Sequence, residues 1–352
     1  MSKITNKIFK KNGQPYFIAE IGVNYENNFE RAKKIVKLAK IGGADAVKFQ
    51  SYKAETIACK KSPYYWDLKK VPIKSQYDLF KKFDKFGEKE FIKLKEYCDK
   101  LNIDFLSTPF DLDAVDYLDK LVSIYKIASA DITNYPLIAK VCKKNKPIII
   151  STGASTEKEI VTTVNLVKKL NKKIKIILMH CVLSYPTQNH DASLNTINYL
   201  KKKFKNLTIG YSDHTIPDKG MIILTNAYLN GARVIEKHFT DKKSLKGNDH
   251  FHSLDVRDLK LFRTNIELIL KTNGKIQKIR KVLKCELKSR LNARRSIVAS
   301  QNILKGEKLS LNNLIMKRPG QGISPNRIYK IIGKVAKKNI KADTLLSTKD
   351  YK

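Results

Sequence analysis

Short apolar, β-branched runs recur along the chain at residues 16–20, 45–50, 103–108, 123–129, 147–152, 174–181, 207–214 and 233–238. The seven gaps between them carry helix-length polar/apolar patterns, as at 29–41, 88–101 and 157–170. One more such stretch, 256–271, follows the last run. Eight strands alternating with eight helices predict a (β/α)8 TIM barrel, which typically takes about 250 residues. A doubly wound sheet is the rival topology, but the Gly-x-Gly-x-x-Gly turn it would carry after its first strand is missing.

Residues 51–87 are too long for a plain strand-to-helix loop and hold Tyr52, Pro63, Tyr64, Tyr65, Trp66, Pro72 and Tyr77. This segment is expected to form a lid or substrate wall over the barrel mouth. From Asn292 the texture changes to short apolar runs punctuated by Gly306, Gly320, Gly322 and Gly333. The expected organisation is a barrel over residues 1–272, a charged linker over 273–291, and a small β-rich domain over 292–352 that leans on the barrel or on another subunit.

Nearly every run opens apolar and closes on reactive side chains: Glu20; Lys48 and Gln50; Ser107 and Thr108; Lys126 and Ser129; Ser151 and Thr152; His180; Ser212 and His214; Glu236 and His238. Alternation along a strand puts Lys48 with Gln50, Ser212 with His214, and Glu236 with His238 on shared faces. In a barrel these ends meet at the C-terminal mouth, where barrel enzymes do their chemistry. A polar strand end also serves as a helix cap, so the pattern argues through its repetition and not through any one residue.

Composition narrows the class. Seventy Lys and Arg against 33 Asp and Glu give a formal charge of +37. The lysines are spread over helix-like segments, with no basic tail and no interleaved aromatic ladder. Solvated faces therefore account for them better than a nucleic-acid surface, although a field that draws in anionic substrates, and a lysine-rich nucleic-acid binder, stay open. Five cysteines without paired spacing point to a reducing compartment. With neither a signal-like apolar stretch nor a run of 18 apolar residues, the expectation is a cytoplasmic protein without membrane attachment.

Two histidines close successive strands, His214 and His238, and adjacent strand ends lie about 5 Å apart. Both imidazoles can then reach one divalent ion, with Glu20 and Asp249 as helpers; Mn²⁺, Zn²⁺ or Fe²⁺ acting as a Lewis acid suits such ligands. Lys48 and Lys126, beside the hydroxyls of Thr108, Ser129, Ser151 and Thr152, suit a phosphate or carboxylate cradle. A Schiff-base lysine is the rival reading of the same residues.

These segments resemble the sialic acid synthase family. The resemblance runs through Ala19-Glu20-Ile21-Gly22, Lys48-Phe49-Gln50, Ser107-Thr108-Pro109-Phe110, Lys126-Ile127-Ala128-Ser129, Ser151-Thr152-Gly153, His180-Cys181 with Tyr185-Pro186, Tyr211-Ser212-Asp213-His214-Thr215, Glu236-Lys237-His238-Phe239-Thr240 and Asn248-Asp249-His250. The tail, with Lys317-Arg318-Pro319-Gly320, resembles the family's antifreeze-like (SAF) domain. The resemblance implies condensation of phosphoenolpyruvate with an open-chain amino sugar, with His214 and His238 as ligands of a divalent metal, Mn²⁺ first and Mg²⁺ or Co²⁺ as alternatives. It places Lys48, Thr108, Lys126, Ser129, Ser151 and Ser212 around phosphoenolpyruvate, and Glu20, Gln50, Tyr185 and Asp249 near the sugar and its carbonyl. It further implies a homodimer in which the small domain caps the partner's barrel and Arg318 reaches the sugar. Two departures bear on the substrates: Asn24-Tyr25-Glu26-Asn27 replaces the family's common Asn-His-Asn-Gly, and Leu183 stands where some members carry a polar residue.

Overall fold

The computed structural model describes Ile8 and residues 13–247, 249–274 and 279–352. Asn248 of one motif and residues 275–278 of the expected linker lie outside the described residues. The chain forms two compact units that divide after Gly274.

The first unit is the expected barrel. Its strands are β1 (Tyr16–Gly22), β2 (Ala46–Ser51), β3 (Asp104–Pro109), β4 (Tyr125–Ile127), β5 (Ile148–Ser151), β6 (Ile176–Cys181), β7 (Thr208–Asp213) and β8 (Val234–His238). They are parallel in the order β3-β2-β1-β8-β7-β6-β5-β4, and the two ends lie against each other in a nearly closed barrel. Each boundary falls within two residues of the expected one, with β4 shortened by two at both ends. There the chain leaves the sheet after Ile127 and turns into a 3-10 segment over Ser129–Asp131.

The helices follow from periodicity and capping. α1 (Phe29–Gly42) starts on Asn28, whose side chain accepts from Arg31 N–H, and stops on Gly43 in the left-handed region. Between β2 and β3 the chain forms α2 (Ala54–Ile57), α3 (Gln76–Phe83) and α4 (Glu88–Lys100); α5 (Leu112–Leu118) and α6 (Tyr135–Lys143) come next. α7 (Glu157–Leu170) opens with a capping box between Thr156 and Glu159 and buries Ile160, Thr163, Val164 and Val167, a spacing that lines one helical face. α8 (Asn195–Lys203), α9 (Ile222–Leu229) and α10 (Val256–Asn273) complete the ring.

Strand alternation sorts the core into two layers. Outward residues such as Phe17, Val47, Phe105, Tyr125 and Ile235 pack under the helices. Inward residues below the mouth, among them Ile18, Leu106, Ile149, Met179 and Val234, fill the barrel with an apolar plug. Above that plug the inward parity is polar apart from Cys181. Two glycines shape this rim. A Cβ on Gly210 would come within 2.6 Å of Val234 O, so only glycine lets β7 and β8 approach this closely. Gly22, at φ +53, follows a register shift in β1 between Glu20 and Gly22.

The second unit has its own apolar cluster, including Ile297, Leu309, Leu314, Ile328, Ile340 and Leu346. α11 (Leu287–Ala293) leads into an antiparallel pair, β9 (Ser296–Ala299) and β10 (Leu314–Lys317), supplemented by single bridges such as Ile303 with Ile340.

Candidate active site

The inward parity carries Glu20, Lys48, Gln50, Thr108, Lys126, Ser151, Ser212, His214, Glu236 and His238 to the barrel mouth, where all ten line one cavity of about 390 Å³. Register explains their level. Glu20 lies opposite Lys48 on one side and His238 on the other, and Ser212 lies opposite Glu236. Two other reactive strand ends do not join them. Ser107 points outward and hydrogen-bonds Ser51 (2.7 Å), and His180 points outward onto the carbonyl of Ala192 (2.8 Å). Both sit on the opposite parity from their neighbours at 108 and 181, so the same alternation that fills the mouth keeps them out of it.

The charged centre is a lysine–carboxylate ladder. Lys48 Nζ lies 2.5 Å from Glu20 Oε2, donates to Thr108 Oγ1 at 3.0 Å, and is 3.8 Å from Glu236 Oε1. Lys126 Nζ donates to Ser151 Oγ at 2.7 Å and is also 3.8 Å from Glu236 Oε1, which accepts from Ser212 Oγ at 3.1 Å. Gln50 donates to Glu20 (3.2 Å), and Gly153 N–H donates to Ser129 Oγ (2.9 Å) at the cavity wall. Glu236 bridges both lysines, a role its position in the sequence did not disclose beyond its shared face with His238.

Burial and neighbours tune these groups in different directions. Loss of hydration raises the Glu20 carboxyl to about 7, against the pull of Lys48 and with the help of Glu236. Burial would depress the Lys48 ammonium, but Glu20 and Glu236 outweigh it and hold Lys48 above the ordinary lysine value. Lys126 has no carboxylate as close as Glu20 is to Lys48, so burial wins and its ammonium is held below the ordinary value. Glu236, buried but faced by both lysines, is held below the usual carboxylate range.

On the other wall stand the histidines. His214 Nδ1 faces the carbonyl of Val182 at 2.8 Å; that oxygen only accepts, so Nδ1 carries the proton and Nε2 keeps its lone pair. Tyr185 packs over this ring, with centroids 4.2 Å apart. His214 and His238 are 5.5 Å apart between centroids, and Asp249 Oδ2 lies 3.3 Å from His238 Nδ1. Burial, then His252 and His214, keep His238 well below the ordinary histidine value, and burial pushes Asp249 up to about 6. Burial would lower His214 too, but Cys181, the Val182 carbonyl and Asp213 outweigh it and raise His214 above the ordinary histidine value. Only His238 is therefore held neutral in the absence of a cation; two imidazoles beside a carboxylate still suit a borderline divalent ion, which binds in place of the proton. His252, fully buried beside His238, went unnoticed in the sequence. Its only signal there is its position three residues after Asp249.

The long segment after β2 supplies the expected wall. Tyr65 lines the main cavity and, with Trp66, Phe83, Phe251 and Asp249, a second one of about 140 Å³ next to it. Trp66 is fixed by its indole N–H, shared between the carbonyls of Val71 and Ile73. Arg318 lies in the second unit, exposed, directly after β10. Among the described residues no helix is long and apolar enough to cross a membrane.

A barrel with buried acids, bases and cations collected at its C-terminal mouth defines a synthase-type enzyme once its relatives are considered. The chain belongs to the NeuB family, whose model matches residues 35–278, and residues 294–352 match the SAF domain. It is 43% identical over 337 residues to the N,N'-diacetyllegionaminic acid synthase of Campylobacter jejuni, covering 94% of this chain and 98% of that one. It is 34% identical to the N-acetylneuraminate-9-phosphate synthase of Drosophila melanogaster, covering 93% of each. Among solved structures, it is similar to the N-acetylneuraminic acid synthetase of Leptospira borgpetersenii, with a TM-score of 0.68, 35% identity, and coverage of 79% of this chain and 90% of that one.

Proposed function

We propose that the protein condenses phosphoenolpyruvate with an open-chain N-acetylated amino sugar, giving a nonulosonic acid and inorganic phosphate. N-acetylmannosamine and a diacetamido-dideoxyhexose are the candidate acceptors. The observation that carries this reading is the pair of buried lysines, Lys48 and Lys126, set among hydroxyls across one cavity from His214 and His238. The lysines and the hydroxyls of Thr108, Ser129, Ser151 and Ser212 hold the carboxylate and phosphate of phosphoenolpyruvate. Its anionic groups replace the intramolecular partners that the lysines now have in Glu20 and Glu236.

Residues His214 and His238, with Asp249 beside them, would hold a divalent cation, Mn²⁺ before Mg²⁺ or Co²⁺. The unpartnered buried His238 Nδ1 and the free lone pair of His214 fit that role. Bound there, the ion supplies a Lewis acid for the sugar carbonyl. Gln50, Tyr185 and Asp249 orient the sugar. A new bond forms between C3 of phosphoenolpyruvate and the carbonyl carbon as the carbonyl π bond opens and its oxygen takes up a proton, and a water oxygen bonds to C2 as it gives one up. The C2–O bond to phosphate then breaks, leaving a ketone. Glu20, poised near neutrality, takes the proton of that water. We further propose a homodimer in which the SAF domain of one copy caps the barrel of the other and presents Arg318 to the sugar.

The test is a panel of N-acetylated amino sugars incubated with the enzyme, phosphoenolpyruvate and Mn²⁺. Phosphate release with at least one sugar, and a product mass equal to sugar plus phosphoenolpyruvate plus water minus phosphoric acid, is the expected result. Phosphate release from no sugar in a panel that includes both acceptor types overturns it.

A further inference from the structure

His252 is fully buried, and neither of its ring nitrogens has a hydrogen-bond partner among the described residues. A histidine left this way loses its hydration without compensation, an arrangement rare enough to need a cause. Its surroundings supply one. Ligand atoms of His238, Asp249 and His252 all lie within 4.8 Å of one another. Asp249 offers Oδ2 at 3.3 Å from His238 Nδ1 and Oδ1 at 3.7 Å from His252 Nε2, distances at which two ligands of one ion stand side by side. His238 Nδ1 is also without a hydrogen-bond partner.

The ring spacings agree. A metal–nitrogen bond of about 2.1 Å puts the centroid of a bound imidazole about 3.2 Å from the ion, so two such centroids lie between about 4.5 Å and 6.4 Å apart, from right-angled to opposed. The observed separations are 4.8 Å for His238 and His252, 5.5 Å for His214 and His238, and 6.3 Å for His214 and His252. The ligand atoms already gathered are those of His238, Asp249 and His252; His214, whose ring spacing to His252 is at the outer edge of this range, is not among them and would have to draw in to share the ion.

We infer that His252 is a third imidazole ligand of the metal site, making it a three-nitrogen, one-carboxylate centre. This rests on the reading of the site as metal-dependent and changes its chemistry. Nitrogen-rich sites favour borderline ions such as Co²⁺, Zn²⁺ or Fe²⁺ over Mg²⁺, which seeks oxygen.

The metal-free full-length protein is titrated with Co²⁺, Zn²⁺ and Mg²⁺ by calorimetry. The Co²⁺-loaded protein is examined by proton NMR in water, where each ligated imidazole gives one hyperfine-shifted ring N–H. Expected are Co²⁺ binding roughly a hundredfold or more tighter than Mg²⁺ and three shifted N–H signals. In His252→Asn one signal is lost and Co²⁺ binding weakens roughly tenfold or more. Two signals in the wild type, or unchanged Co²⁺ affinity in His252→Asn, overturn the inference and leave the two-histidine site standing. A wild type that binds no divalent ion overturns the metal reading itself. Should His252→Asn fail to fold, the wild-type signal count decides alone.

Discussion

Asp213 and Lys237 form an ion pair, Oδ2 to Nζ at 2.6 Å, in which both side chains are only 1% exposed. They face each other across β7 and β8 on the outer side of the barrel, each one residue before a site histidine. The pair grips the chain that carries His214. Asp213 accepts from Thr215 N–H and Thr215 Oγ1, both at 3.0 Å, and from Tyr211 Oη at 2.8 Å, while Lys237 donates to Thr215 O. Breaking a buried pair by removing one partner leaves a charge without hydration or counter-charge, at a cost of about 3–5 kcal/mol. Lys237→Met should therefore lose stability in that range by urea unfolding. Asp213→Asn/Lys237→Met should lose clearly less than the two single variants added together. Additive losses would show that the two side chains are not coupled.

The lysine ladder predicts an uneven response to substitution. Lys48→Ala and Lys126→Ala each remove a buried charged hydrogen-bond donor, and steady-state kinetics should show kcat/KM for phosphoenolpyruvate reduced by about 2–4 kcal/mol of transition-state stabilisation. Lys168→Ala and Lys202→Ala lie on helix faces and should matter by under about 0.5 kcal/mol. Similar losses at all four positions would assign substrate capture to the diffuse positive field of the chain.

Glu20 gives a pH dependence with a defined sign. Its carboxyl stands at about 7 in the fold against an ordinary 4.5, so folding favours the protonated form. The stability it contributes is fully present below pH 4.5 and lost as pH rises through 7. Glu20→Gln should flatten unfolding free energy across that window relative to the wild type. Activity runs the other way, because the carboxylate is the base. Wild-type kcat/KM should rise with pH along a limb near 7 that the residual activity of Glu20→Gln lacks. Parallel stability curves for the two proteins would show that Glu20 titrates as an ordinary carboxyl.

Water attack at carbon makes an isotopic prediction. In H₂¹⁸O the label should enter C2 of the product and be absent from the released phosphate, read by mass spectrometry before the ketone exchanges with solvent. Label in phosphate would mean P–O cleavage, which the proposed order of bonds does not allow.

Capping by a second copy predicts complementation. Arg318→Ala and His214→Ala chains, each inactive or nearly so, should regain activity when refolded together, since one site of a mixed dimer collects both defects and the other has none. With random mixing about half the dimers are mixed and about a quarter of all sites intact. No recovery despite demonstrated heterodimers would rule out capping by the partner.

The period-two and period-3.6 patterns by themselves determined the barrel, its strand boundaries and the inward faces holding Lys48, Gln50, Ser212, His214 and His238, because alternation along a strand is a local property. The change of texture near residue 292 falls beside the start of the SAF match at 294, inside a compact unit that begins earlier, after Gly274. Only closure of the sheet decided which of these groups face one another across the barrel. Glu236 became the bridge between Lys48 and Lys126 because β8, β2 and β4 converge on one cavity, a meeting of positions 48, 126 and 236 that no window of sequence contains. Closure also buried Asp213 against Lys237 and folded the turn after Asp249 so that His252 reached His238. Local pattern fixes the face on which a side chain lies. The charge, hydration and partners that decide its chemistry come from distant strands, and those are supplied by tertiary packing.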